Sequence, residues 1–163
     1  MMLGYIAAVA LASVVASGVK VVGTGDLQLI ERFGKFNRQL APGLHLTVPI
    51  IERTSLATTI REQVLDVPPQ SAITRDNAPL KADAVVYWKI SDPMKARYAV
   101  QDLVSAIQNL VLTQLRSEIG KLTLDETFSA RQQINAVLLA DLDRATDDWG
   151  VKVTRVEVRD IIP

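Results

Sequence analysis

Residues 67–90 read VPPQSAITRDNAPLKADAVVYWKI, and the second half of this stretch sets the fold. Over 80–90, Leu80, Ala82, Ala84, Val86, Trp88 and Ile90 fall on one side, and Lys81, Asp83, Val85, Tyr87 and Lys89 on the other. Period-two alternation predicts a strand with one face in a core and the other half wet. Upstream, residues 53–67 read as extended, with Thr54, Leu56, Thr58 and Ile60 on one face, and Pro68 and Pro69 are expected to end that run. Between the two runs, the polar cluster TRDN (74–77) reads as a hairpin corner. Thr74, Asp76 and Asn77 have short side chains that bond nearby backbone, and Asp76 or Asn77 tolerates positive φ.

Working outward, Asp92 and Pro93 have the order of an N-cap and first helical residue, which predicts a short helix to about Val100. Leu103, Ile107, Leu110, Val111, Leu115 and Ile119 recur at three and four, so 102–119 reads as an amphipathic helix, with Gly120 expected to cap it at positive φ. A third helix is expected from Ser129, which has capping-box spacing to Gln132, through Ile134, Leu138 and Leu142 to Gly150. The closing run VKVTRVEVRDII alternates but changes phase between Val153 and Val156, which predicts a bulge. Before the opening stretch, DLQLIERFGKF predicts strands around a Gly34 turn. Leu44, Leu46 and Val48 share one face, and His45 falls on the opposite one, exposed or lightly packed. Strands, then helices, then a strand predict an α+β domain over 23–163, mainly antiparallel, with helices covering one side.

The first charged side chain is Lys20. Nineteen helical residues span roughly 28 Å, so 1–22 reads as a membrane anchor with Leu3, Tyr5, Ile6, Val9, Leu11, Val14, Val15 and Val19 as its apolar side chains. A cleaved signal peptide is the competing reading, and the missing basic n-region argues against it. Gly4, Ala8, Ala12 and Ala16 make a stripe of small residues along which anchors would pack, although an alanine-rich segment also yields such a stripe by chance. Lys20, Arg32, Lys35 and Arg38 all follow the segment, which predicts a cytoplasmic folded part.

Composition narrows the chemistry. The 163 residues are 48% hydrophobic and carry 18 basic against 18 acidic side chains, so no concentrated positive field points to nucleic acid. There is no cysteine, and His45 is the single histidine, which rules out thiolate and multi-histidine metal sites. Neither a G-x-S-x-G elbow nor a glycine-rich phosphate loop occurs. Ser71 with Lys81 is a formal serine-lysine dyad, of a kind that any chain this long contains by accident. Asp143 and Asp147, four apart, would share a cation only against the stronger reading of a solvated helix face. The residues argue for no catalytic group, cofactor or metal.

The opening stretch, together with LRSEIGKLTLDE and RATDDWGVKVTRVEVRDIIP, closely resembles the stomatin branch of the stomatin, prohibitin and flotillin superfamily, whose common unit is the SPFH or band 7 domain. ERFGKF and APGLHLTVPIIE extend the likeness over residues 23–163. The resemblance implies a non-enzymatic, membrane-attached scaffold that forms large homo-oligomeric rings or cages and organises membrane microdomains. It also implies a coiled coil after Pro163, and, for a prokaryotic-type member, an NfeD-type membrane protein or a membrane protease as partner. Without cysteine, palmitoyl anchoring is closed to this chain. As subunit contacts, the stretch with Asp141, Arg144, Asp147 and Asp148 is matched to Arg116, Lys121 and Arg131 of a neighbour. A monomeric adaptor for a membrane protease and a membrane-tethered serine hydrolase are the alternatives.

Overall fold

The computed structural model of the protein describes Met2, Ile6, Ser13 and residues 16–163. The chain divides into two compact units, Met1–Arg61 and Glu62–Pro163. In the first, β1 (Val19–Val22) pairs antiparallel with β4 (Gly43–Leu46), and β2 (Asp26–Arg32) lies between β3 (Lys35–Leu40) and β5 (Glu52–Thr59). The turn from β2 to β3 is at Phe33 and Gly34, both at positive φ, as a two-residue hairpin with right-handed strand twist requires. Val22, Ile30 and Leu40 form a small buried cluster.

In the second unit β6 (Gln63–Ile73), β7 (Pro79–Ile90) and β8 (Val151–Ile162) form an antiparallel sheet with β7 at its centre. The expected alternation holds, since all six even-numbered residues from Leu80 to Ile90 are buried while Lys81 and Lys89 are exposed. Their partners in the core are Ile107, Val111, Leu115 and Ile119 of α2 (Leu103–Gly120) and Ile134, Leu138 and Leu142 of α4 (Arg131–Thr146). Before α2 comes α1 (Pro93–Tyr98), where Asp92 accepts the Met94 and Lys95 N–H groups as the expected N-cap. The predicted bulge in the last strand lies between Val153 and Arg155, where the register with β7 shifts.

Three expectations are corrected. The run 53–67 is two strands, and Pro68 and Pro69 lie inside β6 rather than ending it. β6 is an edge strand, and its register to β7 slips between Val67 and Gln70, so the missing proline N–H groups cost no ladder bonds. Gly120 ends α2 in helical conformation, and Lys121 is the cap, with right-handed backbone. The capping box is Thr123 with Glu126, not Ser129 with Gln132. It opens a helix the sequence reading missed, α3 (Leu124–Ser129), whose last residue turns its hydroxyl back to the Asp125 carbonyl.

The TRDN corner is a turn with Asn77 at φ 62°, closed by Thr74 N–H on the Ala78 carbonyl at 3.0 Å. It also does more than turn the chain. The Asp76 carboxylate accepts the Leu124 N–H at 3.2 Å, and Arg75 N–H reaches the Leu122 carbonyl at 2.8 Å, so the corner caps α3. The Thr74 hydroxyl also donates to the Asp76 carboxylate, and this bond first, then the Leu124 N–H, holds the Asp76 carboxyl below its usual range.

Gly150 closes the unit at φ 67°, with its carbonyl accepting the Ser91 and Asp92 N–H groups. A Cβ there would lie 2.3 Å from the Asp92 carbonyl oxygen. Strain and clash add, so Gly150→Ala is expected to lower stability by about 3 kcal/mol, read from the denaturant midpoint of the detergent-solubilised protein.

Candidate membrane-facing surface

In the β1–β4 pair, Val19 lies opposite Leu46 and Val21 opposite Leu44. Opposite residues, and residues two apart, share a face, so these four side chains form one apolar surface. It is open to solvent, with Val21 74% and Leu44 71% exposed. The inner face carries Val22 into the small core and half-buries His45, whose Nε2 is 2.7 Å from the Ala41 carbonyl oxygen. His45 is thus on the face opposite Leu44 and Leu46, and lightly packed, as the sequence reading allowed, whereas the leucines themselves face solvent. Val22 has to reach Ile30 and Leu40, and β1–β4 register then turns the leucines outward.

Two loop tips expose further apolar side chains. Phe33, at the β2–β3 turn, is 80% exposed, and Ile50, between β4 and β5, is 87% exposed. They are neighbours, because Phe33 N–H donates to the Ile51 carbonyl at 3.4 Å. Exposed apolar side chains grouped in this way, four on the β1–β4 face and two at neighbouring tips, mark candidate interaction surfaces, where single scattered residues would not. The signal was legible as apolar residues at turn positions, beside Gly34 and after Pro49, and the strand-centred reading passed over it.

A buried carboxylate fixes these tips. The Glu52 side chain is only 1% exposed and accepts from Arg32 at 2.8 Å, Arg38 at 3.1 Å, Asn37 at 3.0 Å and the Val48 N–H at 3.2 Å. It therefore ties the β2–β3 hairpin to the 48–52 loop. The Arg32 hydrogen bond above all, then the Val48 N–H and the Arg38 charge, outweigh burial and hold its carboxyl below the usual 4.5. Charge is divided unevenly along the chain. The first unit has six Lys and Arg against three Asp and Glu, the second twelve against fifteen, giving +3 and −3.

Of the anchor residues, Ile6 and Ala16 are helical and exposed, and Val19 belongs to β1. Leu3, Gly4, Tyr5, Ala8, Val9, Leu11, Ala12, Val14 and Val15 lie outside the described residues. Among the described residues no helix is long and apolar enough to cross a membrane.

The other sites weighed in the sequence are placed as follows. Ser71 and Lys81 are cross-strand partners, but both are exposed, so water competes at either group. Asp143 does not join Asp147 around a cation, because its oxygens are taken by Lys152 at 2.6 Å and the Val153 N–H at 3.2 Å. Arg116, Arg144, Asp147 and Asp148 are exposed. Lys121 is bonded to Glu118, which together with the nearby Asp141 charge raises its pKa, and Arg131 donates to the Arg159 carbonyl.

Comparison with known proteins agrees with this architecture. Residues 20–163 match the model of the SPFH domain / Band 7 family. The chain is 42% identical over 133 residues to human "Stomatin-like protein 2, mitochondrial", covering 82% of this chain and 37% of that protein. It is 40% identical over 150 residues to an uncharacterised Mycobacterium tuberculosis protein, covering 92% and 39%. An uncharacterised Schizosaccharomyces pombe protein is 41% identical over 145 residues, covering 89% and 41%. The chain thus spans about two fifths of the length of these curated relatives. The chain belongs to the SPFH domain / Band 7 family, and within it to the stomatin branch. Proteins of this family are generally membrane-associated scaffolds rather than enzymes.

Glu52→Gln keeps the shape and removes the charge, so it is expected to cost about 2 kcal/mol at neutral pH. A carboxyl depressed in the folded state contributes fully above its unfolded value near 4.5 and loses that contribution as pH falls through the folded value. Stability measured by denaturation from pH 7 to 3 should therefore fall less steeply below about 4.5 in the variant than in the parent.

Proposed function

We propose that the protein is a membrane-attached, non-enzymatic scaffold whose first unit rests its apolar surface on a bilayer. The observation that carries this reading is the exposed face of Val19, Val21, Leu44 and Leu46, together with the exposed Phe33 and Ile50 tips. Even at about 1 kcal/mol for each of these six side chains, half or less of full burial, contact with lipid gains about 6 kcal/mol. Cations near an anionic leaflet add roughly 1 kcal/mol each, which suits the positive first unit. The apolar segment before β1 supplies a single N-terminal anchor, and the cations that follow it place the folded units on the cytoplasmic side.

Confinement to a surface raises the effective concentration of the second unit, so modest lateral contacts suffice to join copies. Identical subunits joined head to tail close into a ring or cage. Such an assembly organises a membrane microdomain or regulates a membrane protein, with an NfeD-type protein or a membrane protease as client. No cofactor is required. Sedimentation of the complete protein in mild detergent should give a large homo-oligomer, and a monodisperse monomer rejects the scaffold in favour of an adaptor.

The membrane contact has a separate test, helped by the absence of native cysteine. Nitroxide labels on Phe33→Cys and Ile50→Cys in vesicles should collide more with oxygen than with a water-soluble nickel complex, while a label on Lys89→Cys shows the reverse. An aqueous signal at both 33 and 50 rules the contact out.

A further inference from the structure

β8 pairs with a strand on one side only, which leaves a twelve-residue edge. An open edge of that length invites another strand. Here a stripe of α4 side chains occupies it: Arg131, Asn135, Leu139 and Asp143 recur every four residues and therefore line one side of the helix. Asn135 Oδ1 accepts the Val158 N–H at 2.9 Å, Asp143 Oδ1 accepts the Val153 N–H at 3.2 Å, and Arg131 donates to the Arg159 carbonyl at 3.0 Å. Leu139 has no polar atom to offer. Around it an open groove of about 500 Å³ is lined by Ala136, Ala140, Val153 and Thr154.

We propose that this stripe is a removable cover, and that the β8 edge beneath it is a strand-addition site for β8 of a second copy of the chain. Successive residues in an antiparallel ladder alternate in the direction of their N–H and C=O groups, so Val156 points outward as Val158 does. Between the two register shifts of β8, residues 155–158 are regular. Within one chain Arg155 and Glu157 already pair at 3.3 Å, and antiparallel pairing of two copies about Val156 sets Arg155 opposite Glu157 of the second copy, and the reverse, so the two ion pairs join into one alternating cluster of four charges. The other edge of the sheet, β6, is interrupted by Pro68 and Pro69, which have no N–H to donate, so β8 is its own best complement. Removing the cover frees the Val153 and Val158 donors, and the groove beside Leu139 gives room for the incoming strand.

The test uses the complete protein in mild detergent and a fluorescent peptide with the sequence of residues 151–162, so that binding reads the edge whatever the assembly state of the protein. Asn135→Ala with Asp143→Ala should bind the peptide at least about tenfold more tightly than the parent by anisotropy. Asp143→Asn, which keeps an acceptor for Val153, should behave as the parent does, and a scrambled peptide should not bind. If the double variant fails to fold, Asn135→Ala alone carries the test, with an expected gain of about threefold. Parent-like affinity in a folded variant overturns the proposal, as does equal binding of the scrambled peptide. Unfolding of both variants also overturns it, because the side chains would then hold the sheet together rather than cover it.

Discussion

One strand, β7, has to satisfy two surroundings at once. Its even-numbered residues from Leu80 to Ile90 are shut away from water. At about 2 kcal/mol for each larger side chain, this face can be covered only by long apolar stripes, which α2 and α4 supply. Its odd-numbered face is half wet, with Lys81 and Lys89 exposed but Asp83 and Val85 buried, and Asp83 is held there by Arg159 at 3.0 Å and by the Asp160 N–H at 2.8 Å. Both flanking strands take their register from β7, so the corner at 74–77 and the left-handed Gly150 follow from where its ends fall. The corner in turn starts α3 through Asp76.

The first unit solves a different problem with fewer residues. A chain of some sixty residues buries a smaller share of its surface than a larger domain does. Its compact cluster is Val22, Ile30 and Leu40, and order in the loops comes from the Glu52 carboxylate and its four donors. An ionic tie of this kind fixes backbone without consuming apolar side chains. Phe33, Ile50 and the β1–β4 face therefore point outward, as the proposed lipid contact requires.

Sequence reading succeeded where one local rule dominates. Period two in 80–90, the Asp92–Pro93 start and the phase change at Val153 each rest on a single constraint, and each holds in the structure. It failed where two rules compete. Pro68 and Pro69 are strand breakers, but an edge strand with a register slip admits them. Ser129 with Gln132 and Thr123 with Glu126 have the same capping spacing, and only the docking of Asp76 on Leu124 favours the second. The outward face of Leu44 and Leu46 was invisible for a related reason: alternation shows which residues share a face but not which face is wet. The family was legible because its motifs are spread along both units, whereas the membrane-facing surface depends on which way a two-stranded sheet is turned.

Both units leave surface that an isolated protein would avoid, and they leave it in different forms. The first exposes side chains at turn tips, which present no unpaired ladder to recruit strands. The second has two open sheet edges, one interrupted by prolines and the other occupied by the α4 stripe. For a chain confined to a bilayer this division follows from mass action. Tethering multiplies every weak contact between copies, so an edge that stays covered in dilute solution can exchange its cover for a second strand at a membrane. On the proposed membrane attachment, apolar tips and covered edges are two consequences of one condition, a folded chain at high local concentration on a surface.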